Sequence, residues 1–175
     1  MKKLLFSLCL LLLSFSAQAG MTWTAVAVPY EQLPYLRGNE ELLTETLNSE
    51  DGLHLDKAWG GLHYLLKANP RNATLARLLF FGGENIGPDQ GAGPARVLTP
   101  AQVRQIAAML ERETPAALAA RYAPQAMEAE HVYPEGIWEQ EGQGALVYLL
   151  NFYEELLVFV KQADRKGQAM VVVLW

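Results

Sequence analysis

The two most strand-like segments of this chain stand at its opposite ends, and that placement constrains the fold more than anything between them. MTWTAVAV at 21–28 alternates and is rich in β-branched residues, and AMVVVL at 169–174 is an almost unbroken apolar run that can sit beside it. A sheet built from the two ends has to be completed around everything in between. The intervening sequence carries several helical patterns, so the class is α/β (α+β), a small mixed sheet covered by helices.

Residues 29–48 carry leucines at helical spacing, broken by Arg37-Gly38-Asn39, and predict two short helices. Asn48 to Gly52 is a polar turn, and LHLDKAWGGLHYLL at 53–66 opens a helix from about Lys57 to Lys67, closed by Asn69-Pro70. Leu75–Phe81 is either a strand or the end of a helix. GGENIGPDQGAGPAR at 82–96, with its five glycines and two prolines, predicts a long loop outside regular structure. Thr99-Pro100-Ala101-Gln102 is an N-cap with a capping-box glutamine that starts a helix to about Glu111, and Thr114-Pro115 starts another that ends near Tyr122. HVYPEGIWEQE at 131–141 is irregular, acidic and punctuated by aromatics. Gly144 to Lys166 is a long helix, apolar on most of its circumference and expected deep in the fold; Asn151, Glu154 and Glu155 argue against a membrane span.

Ahead of the first strand, MKKLLFSLCLLLLSFSAQAG combines two lysines, an apolar run of about a dozen residues and Ala17-Gln18-Ala19, the pattern of a secretory signal peptide cleaved after Ala19. The run is short of the roughly 20 residues that cross a bilayer. Cys9 lies inside it rather than at the cleavage point, so no lipoprotein is expected, and the style of the signal predicts the periplasm. Removal of residues 1–19 leaves 156 of the 175 residues, enough for one domain, with 12 basic against 19 acidic side chains and a formal charge of −7. Nucleic acid is an unsuitable partner for such a surface. The only cysteine leaves with the signal, so stability has to come from the core rather than from disulfides.

The same removal excludes cysteine nucleophiles and leaves one serine, Ser49, in a polar turn without a nucleophile-elbow motif. His54, His63 and His131 are the only histidines, and with no HExxH or clustered ligands a metal site is not expected. The glycine-rich stretch matches neither a P-loop nor a dinucleotide fingerprint, so no cofactor is expected. Laid out at about 100° per residue, the 53–66 helix puts Asp56, Gly60 and His63 on one flank as an apparent slot, but Asp56 and His63 are about 10.5 Å apart along the axis, too far for a direct dyad. Asp56 stands where an N-cap belongs, His63 suits a half-buried site bonded to backbone or carboxylate, and Trp59 suits the core or an interface. Arg96 either holds an anion beside Gly91 and Gly93 or pins its segment through carbonyls. Pocket candidates are therefore His54, Asp56, Trp59, His63 and Arg96. The acidic aromatic segment offers Glu130, Tyr133, Glu135, Trp138 and Glu139 as a protein-facing surface, its aromatics serving as anchors or tucked inward.

LDKAWGGLHYLL (55–66), GAGPARVLTPAQV (91–103) and VYPEGIW (132–138), in this order, resemble the YfbM-like proteins, a bacterial family labelled a domain of unknown function. The resemblance covers residues 20–175 and implies a single domain of αβα layers with a mixed sheet; it implies no activity, cofactor or catalytic residue. Family members commonly begin near Gly20-Met21 and look cytoplasmic, whereas this chain carries an export pattern ahead of that point. Export, acidity and the missing nucleophile together predict a non-enzymatic periplasmic binding protein, one that neutralises an antibacterial toxin. Two alternatives stand beside it. One is an enzyme acting on a small molecule or envelope glycan, with His54, His63, Arg96 and Tyr133 converging on a pocket. The other is a ligand-binding module without turnover.

Overall fold

The protein is described by a computed structural model over residues 20–175, so the expected signal peptide lies outside the described residues. Five strands form one sheet: β1 (Trp23–Val28), β2 (Leu53–His54), β3 (Glu84–Asp89), β4 (Pro94–Leu98) and β5 (Ala169–Leu174), in the order β2-β1-β5-β4-β3. The two ends of the chain are neighbours at its centre, with Trp23 opposite Leu174 and Val28 opposite Ala169. The sheet is antiparallel throughout, where a mixed one was expected. β3 and β4 are joined by a hairpin, and the helical connections from β1 to β2 and from β4 to β5 each bring the chain back in the opposite direction.

β5 is buried along its whole length because both of its faces are covered. Met170 and Val172 point, with Trp23 and Ala25, into the larger core under helices α3 (Ala58–Lys67), α4 (Ala73–Phe81), α5 (Pro100–Arg112) and α9 (Gln143–Arg165). Val171 and Val173 point, with Val26 and Val28, into a smaller core under α1 (Leu33–Gly38) and α2 (Glu40–Leu47). Helices on both faces of one sheet are the expected αβα layers.

Regular structure reaches into the glycine-rich stretch, contrary to expectation: residues 84–98 form the β3–β4 hairpin. The glycines mark where the backbone departs from ordinary strand geometry. Gly83, Gly87, Gly91 and Gly93 all have positive φ, and a register shift between Ile86 and Asp89 absorbs Gly87-Pro88 as an irregularity. The prolines fit because β3 is an edge strand and Pro94 is the first residue of β4. The Asp89 carboxylate accepts from the Gly91 amide at 2.7 Å and closes the turn.

The Thr99 capping box forms as expected, with the Gln102 side chain accepting from the Thr99 amide at 2.8 Å. Leu75–Phe81 is the end of helix α4. The helix begun at Thr114-Pro115 is only α6 (Pro115–Ala119), and α7 (Pro124–Ala129) follows it. The long helix α9 is less deeply placed than its composition suggested. Leu146, Leu149, Tyr153, Leu156 and Val160 make one buried stripe against the core, while Val147 and Val158 are exposed. It is long and apolar enough to cross a membrane by length and composition; here that stripe is docked on the domain's own core.

At the far end of the helical layer Glu113, 5% exposed, accepts hydrogen bonds from Asn69 at 2.8 Å and Asn72 at 2.6 Å and pairs with Arg121. Arg121 also donates to the Leu65 carbonyl at 3.1 Å, so this one carboxylate ties the loop after α3 to the loop after α5.

Candidate functional site

The start of α3 and the 131–141 segment are brought together by a missing side chain. Gly60 lies so close to that segment that a Cβ there would fall 2.2 Å from the Tyr133 carbonyl oxygen. The gap expected beside Gly60 is therefore filled by backbone from a remote part of the chain. Trp59, next to it, stacks on the Tyr133 ring at 5.1 Å and donates its indole N–H to the Met21 carbonyl at 3.0 Å. The 131–136 turn is held from its other side, where the Gly136 amide donates to Glu128 at 2.6 Å.

This packing leaves an open cleft of about 800 Å³. One wall is Tyr133, Pro134, Glu135 and Ile137, continued by Glu141 of helix α8 (Trp138–Glu141); the other is Gly20, Met21, Asp56, Lys57 and Tyr148 of α9. Three carboxylates thus share the cleft with a single ammonium group.

Asp56 does not cap α3 as expected. Its φ of 47° takes it out of the capping geometry, Lys57 occupies the cap position, and no side chain caps the helix. The Asp56 carboxylate instead accepts from the Tyr148 hydroxyl at 2.9 Å inside the cleft. Burial, followed by the hydrogen bond and charge of Asp56, pushes the Tyr148 phenol well above its ordinary value. Burial and the Asp56 charge also raise Tyr133, against a smaller lowering by the Met21 amide. Both phenols stay protonated, so the cleft offers hydroxyl groups beside carboxylates rather than a phenolate base or nucleophile.

The other candidates go elsewhere. His54 is on β2 with its Nδ1 3.0 Å from the Thr24 hydroxyl. His63 packs on Phe81 at 4.9 Å and Phe80 at 5.8 Å, among aromatic rings rather than bonded to backbone or carboxylate as expected, and burial together with Lys67 and Arg77 lowers its pKa to about 4. Trp59 and Phe81 stand in a row of rings between His63 and Tyr133. Arg96 donates to the Phe80 carbonyl at 3.0 Å, the pinning role. Of the four groups an enzyme would need to converge, only Tyr133 lines the cleft. Among the described residues no group of three or more His, Cys, Asp or Glu side chains is placed to hold a metal ion.

Among the surface candidates, Trp138 is fully buried, its indole donating to the Val132 carbonyl at 2.7 Å, so it is a core residue and not an anchor for a partner. Glu130 lies 3.8 Å from Lys67, outside the cleft lining, and Glu139 is exposed on α8. Glu135 lines the cleft and also meets exposed His131 at 3.0 Å. Lys57 and Tyr148 are cleft residues that sequence reasoning did not single out, and Glu141 belongs to the acidic aromatic segment. Tyr148 was the findable one, a hydroxyl among the leucines of a helix whose apolar face should be dry.

The family model described as a domain of unknown function (DUF1877) matches residues 20–173. The chain belongs to that family. A DUF1877 fold over this span agrees with the solved crystal structure of YfbM from Escherichia coli, a protein of unknown function. That structure is similar to this chain with a TM-score of 0.66, covering 89% of this chain and 99% of that one at 19% identity. At this identity the likeness is one of fold. No curated protein matches the chain.

Proposed function

We propose that this DUF1877 chain is an exported, non-enzymatic binding protein of the periplasm, and that its partner is an antibacterial protein toxin, neutralised when a basic segment of it is held in the cleft. The observation that carries this reading is the make-up of the cleft: Asp56, Glu135 and Glu141 against Lys57 alone, with the Tyr133 and Tyr148 hydroxyls between them. Negative potential in a concave site selects cationic partners and speeds their encounter. Protonated tyrosines add hydrogen bonds and apolar area without reactivity, which suits occlusion better than turnover. The export pattern at residues 1–19 supplies the compartment in which a delivered toxin would be met.

The test is a challenge experiment. Cells lacking the gene should be killed by an effector from a neighbour, and be rescued by the exported chain. The tagged chain should capture that effector from periplasm in stoichiometric amount, and a Glu135→Lys, Glu141→Lys variant should bind it at least about tenfold more weakly, a loss of about 1.4 kcal/mol. Deletion cells that resist every neighbouring effector, together with no stoichiometric partner, would refute the proposal.

A further inference from the structure

Two walls of the cleft continue beyond it. Residues 52–57, which run through β2 to the start of α3, face α9 a second time where Gly52 and Leu53 on one side and Glu154, Glu155, Val158 and Phe159 on the other enclose a depression of about 440 Å³. At the cleft end the same two walls are tied by the Tyr148 hydroxyl and the Asp56 carboxylate. Between the two ends, half-buried Phe152 packs edge-on against Tyr148 at 5.0 Å. At about 100° per residue Tyr148, Phe152, Glu155 and Phe159 fall within an arc of about 60°, so one flank of α9 leads from the cleft to the depression.

The two ends differ in character. The depression has an apolar floor of Leu53, Val158 and Phe159, with Val158 53% exposed, and a rim of Glu154 and Glu155. Among the described residues no lysine or arginine lines it, and the first cation of α9, Lys161, is paired with Glu111 at 2.8 Å. A single exposed valine is ordinary surface, whereas three apolar side chains in a hollow rimmed by carboxylates suit an apolar residue flanked by positive charge. A second copy of this chain is the wrong occupant. Pairing two such faces would set Glu154 and Glu155 against their own counterparts, on a chain that is already net acidic.

We propose that the cleft and this depression are the two seats of a single trough that takes an extended basic segment of a protein partner, with an arginine or lysine in the cleft and an aliphatic residue beside a second cation in the depression. This rests on the reading of the cleft as the site of a basic segment and specifies the sequence pattern that is selected. Tyr148 and Val158 are ten residues apart, about 15 Å along the helix axis. An extended chain advances about 3.3 Å per residue, so the two seats are filled by side chains four or five positions apart. A helical segment would need about ten residues for the same span, and the short extended one has fewer to immobilise. Joining two modest contacts in one segment raises its affinity above either alone and makes their spacing part of the specificity.

The test uses the full chain, expressed with its leader and labelled with ¹⁵N, and three synthetic peptides blocked at both ends. The first is Arg-Ser-Thr-Ser-Thr-Leu-Arg, the second is Arg-Leu-Ser-Thr-Ser-Thr-Arg, and the third is the first with glutamate in place of both arginines. Amide shifts locate each peptide and their titration gives its Kd. The first should shift residues of both the cleft and the depression, bind at least about tenfold more tightly than the other two, and weaken as salt is added. Val158→Lys, at an exposed position that the fold tolerates, should weaken it about tenfold and confine its shifts to the cleft. Shifts confined to the cleft of the unsubstituted chain, indifferent to Val158→Lys and to the place of the leucine, overturn the trough and leave the cleft reading standing. Equal binding of the glutamate peptide, or α9 shifts that arise from raising the protein concentration alone, also overturn it. A cleft that responds to none of the peptides overturns the trough together with the basic-segment reading beneath it.

Discussion

Gly60→Ala is the sharpest test of how the cleft is built. The new Cβ would lie 2.2 Å from the Tyr133 carbonyl oxygen, 3.0 Å from its carbonyl carbon and 3.2 Å from its Cβ, where ordinary contact begins at 3.4 Å. Because the nearest atoms are backbone, no side-chain rotation relieves the clash, and α3 must part from the 131–136 turn by more than an ångström. Overpacking of this kind costs about 1–3 kcal/mol. Loosening the Trp59–Tyr133 stack adds about 0.5–1.5 kcal/mol. Alanine's better helix propensity gives back about 1 kcal/mol. The expected net loss is about 1–3 kcal/mol, read as a lower urea midpoint with unchanged slope and a Tm lower by about 2–4 °C per kcal/mol. Gly144→Ala is the control: it also stands in a helix, but its Cβ would meet only the Glu141 Cβ at 3.9 Å, so it should be neutral or stabilising. If Gly60→Ala matches that control, the close approach of α3 and the turn is refuted.

Two pH-dependent predictions come from buried groups. Burial alone would raise the Glu113 carboxyl, but hydrogen bonds from Asn69, Arg121 and Asn72 and the Arg121 charge outweigh it, so its folded pKa is depressed. Its contribution is therefore full above the unfolded value of about 4.3 and is lost as pH falls through the lower folded one; Glu113→Gln should cost about 3 kcal/mol at pH 7 and progressively less as pH falls below that unfolded value by urea titration, and a cost independent of pH would refute the account. His63, lowered to about 4 by burial and then by Lys67 and Arg77, is favoured neutral in the fold. Its contribution is full above about 6.5 and fades as pH falls towards the folded value, so His63→Phe should flatten stability over that window. A ring titration by NMR with its midpoint near the ordinary histidine value would contradict this placement.

The layers and the pairing of the end strands were legible because they rest on local patterns: the alternation of 21–28, the apolar run of 169–174 and the Thr99 capping box. The β3–β4 hairpin was not legible, because proline and glycine count against a strand unless it lies at an edge and the glycines take up positive φ, and edge position is a property of the whole sheet. The cleft was half legible. Asp56, Tyr133 and Glu135 were singled out, but on two separate segments, and nothing in either says that they face one another. The gap at Gly60 could be seen from its own helix, whereas what fills it comes from more than seventy residues further on. Trp138 stood between a surface anchor and an aromatic tucked inward, and what favours its burial, the Val132 carbonyl that accepts from its indole, is visible only in the fold.

The place of β5 has a consequence for how the protein is made. The strand at the middle of the sheet is the last segment of the described chain to leave the ribosome, and β1 has to wait for it through nearly the whole of synthesis. Until then both cores lack their shared floor, and the early helices have no sheet on which to settle. Pairings so distant in sequence form slowly, so the described chain stays open until its last segment has arrived. Late arrival of the central strand thus serves as a timer, delaying collapse until synthesis has passed Leu174.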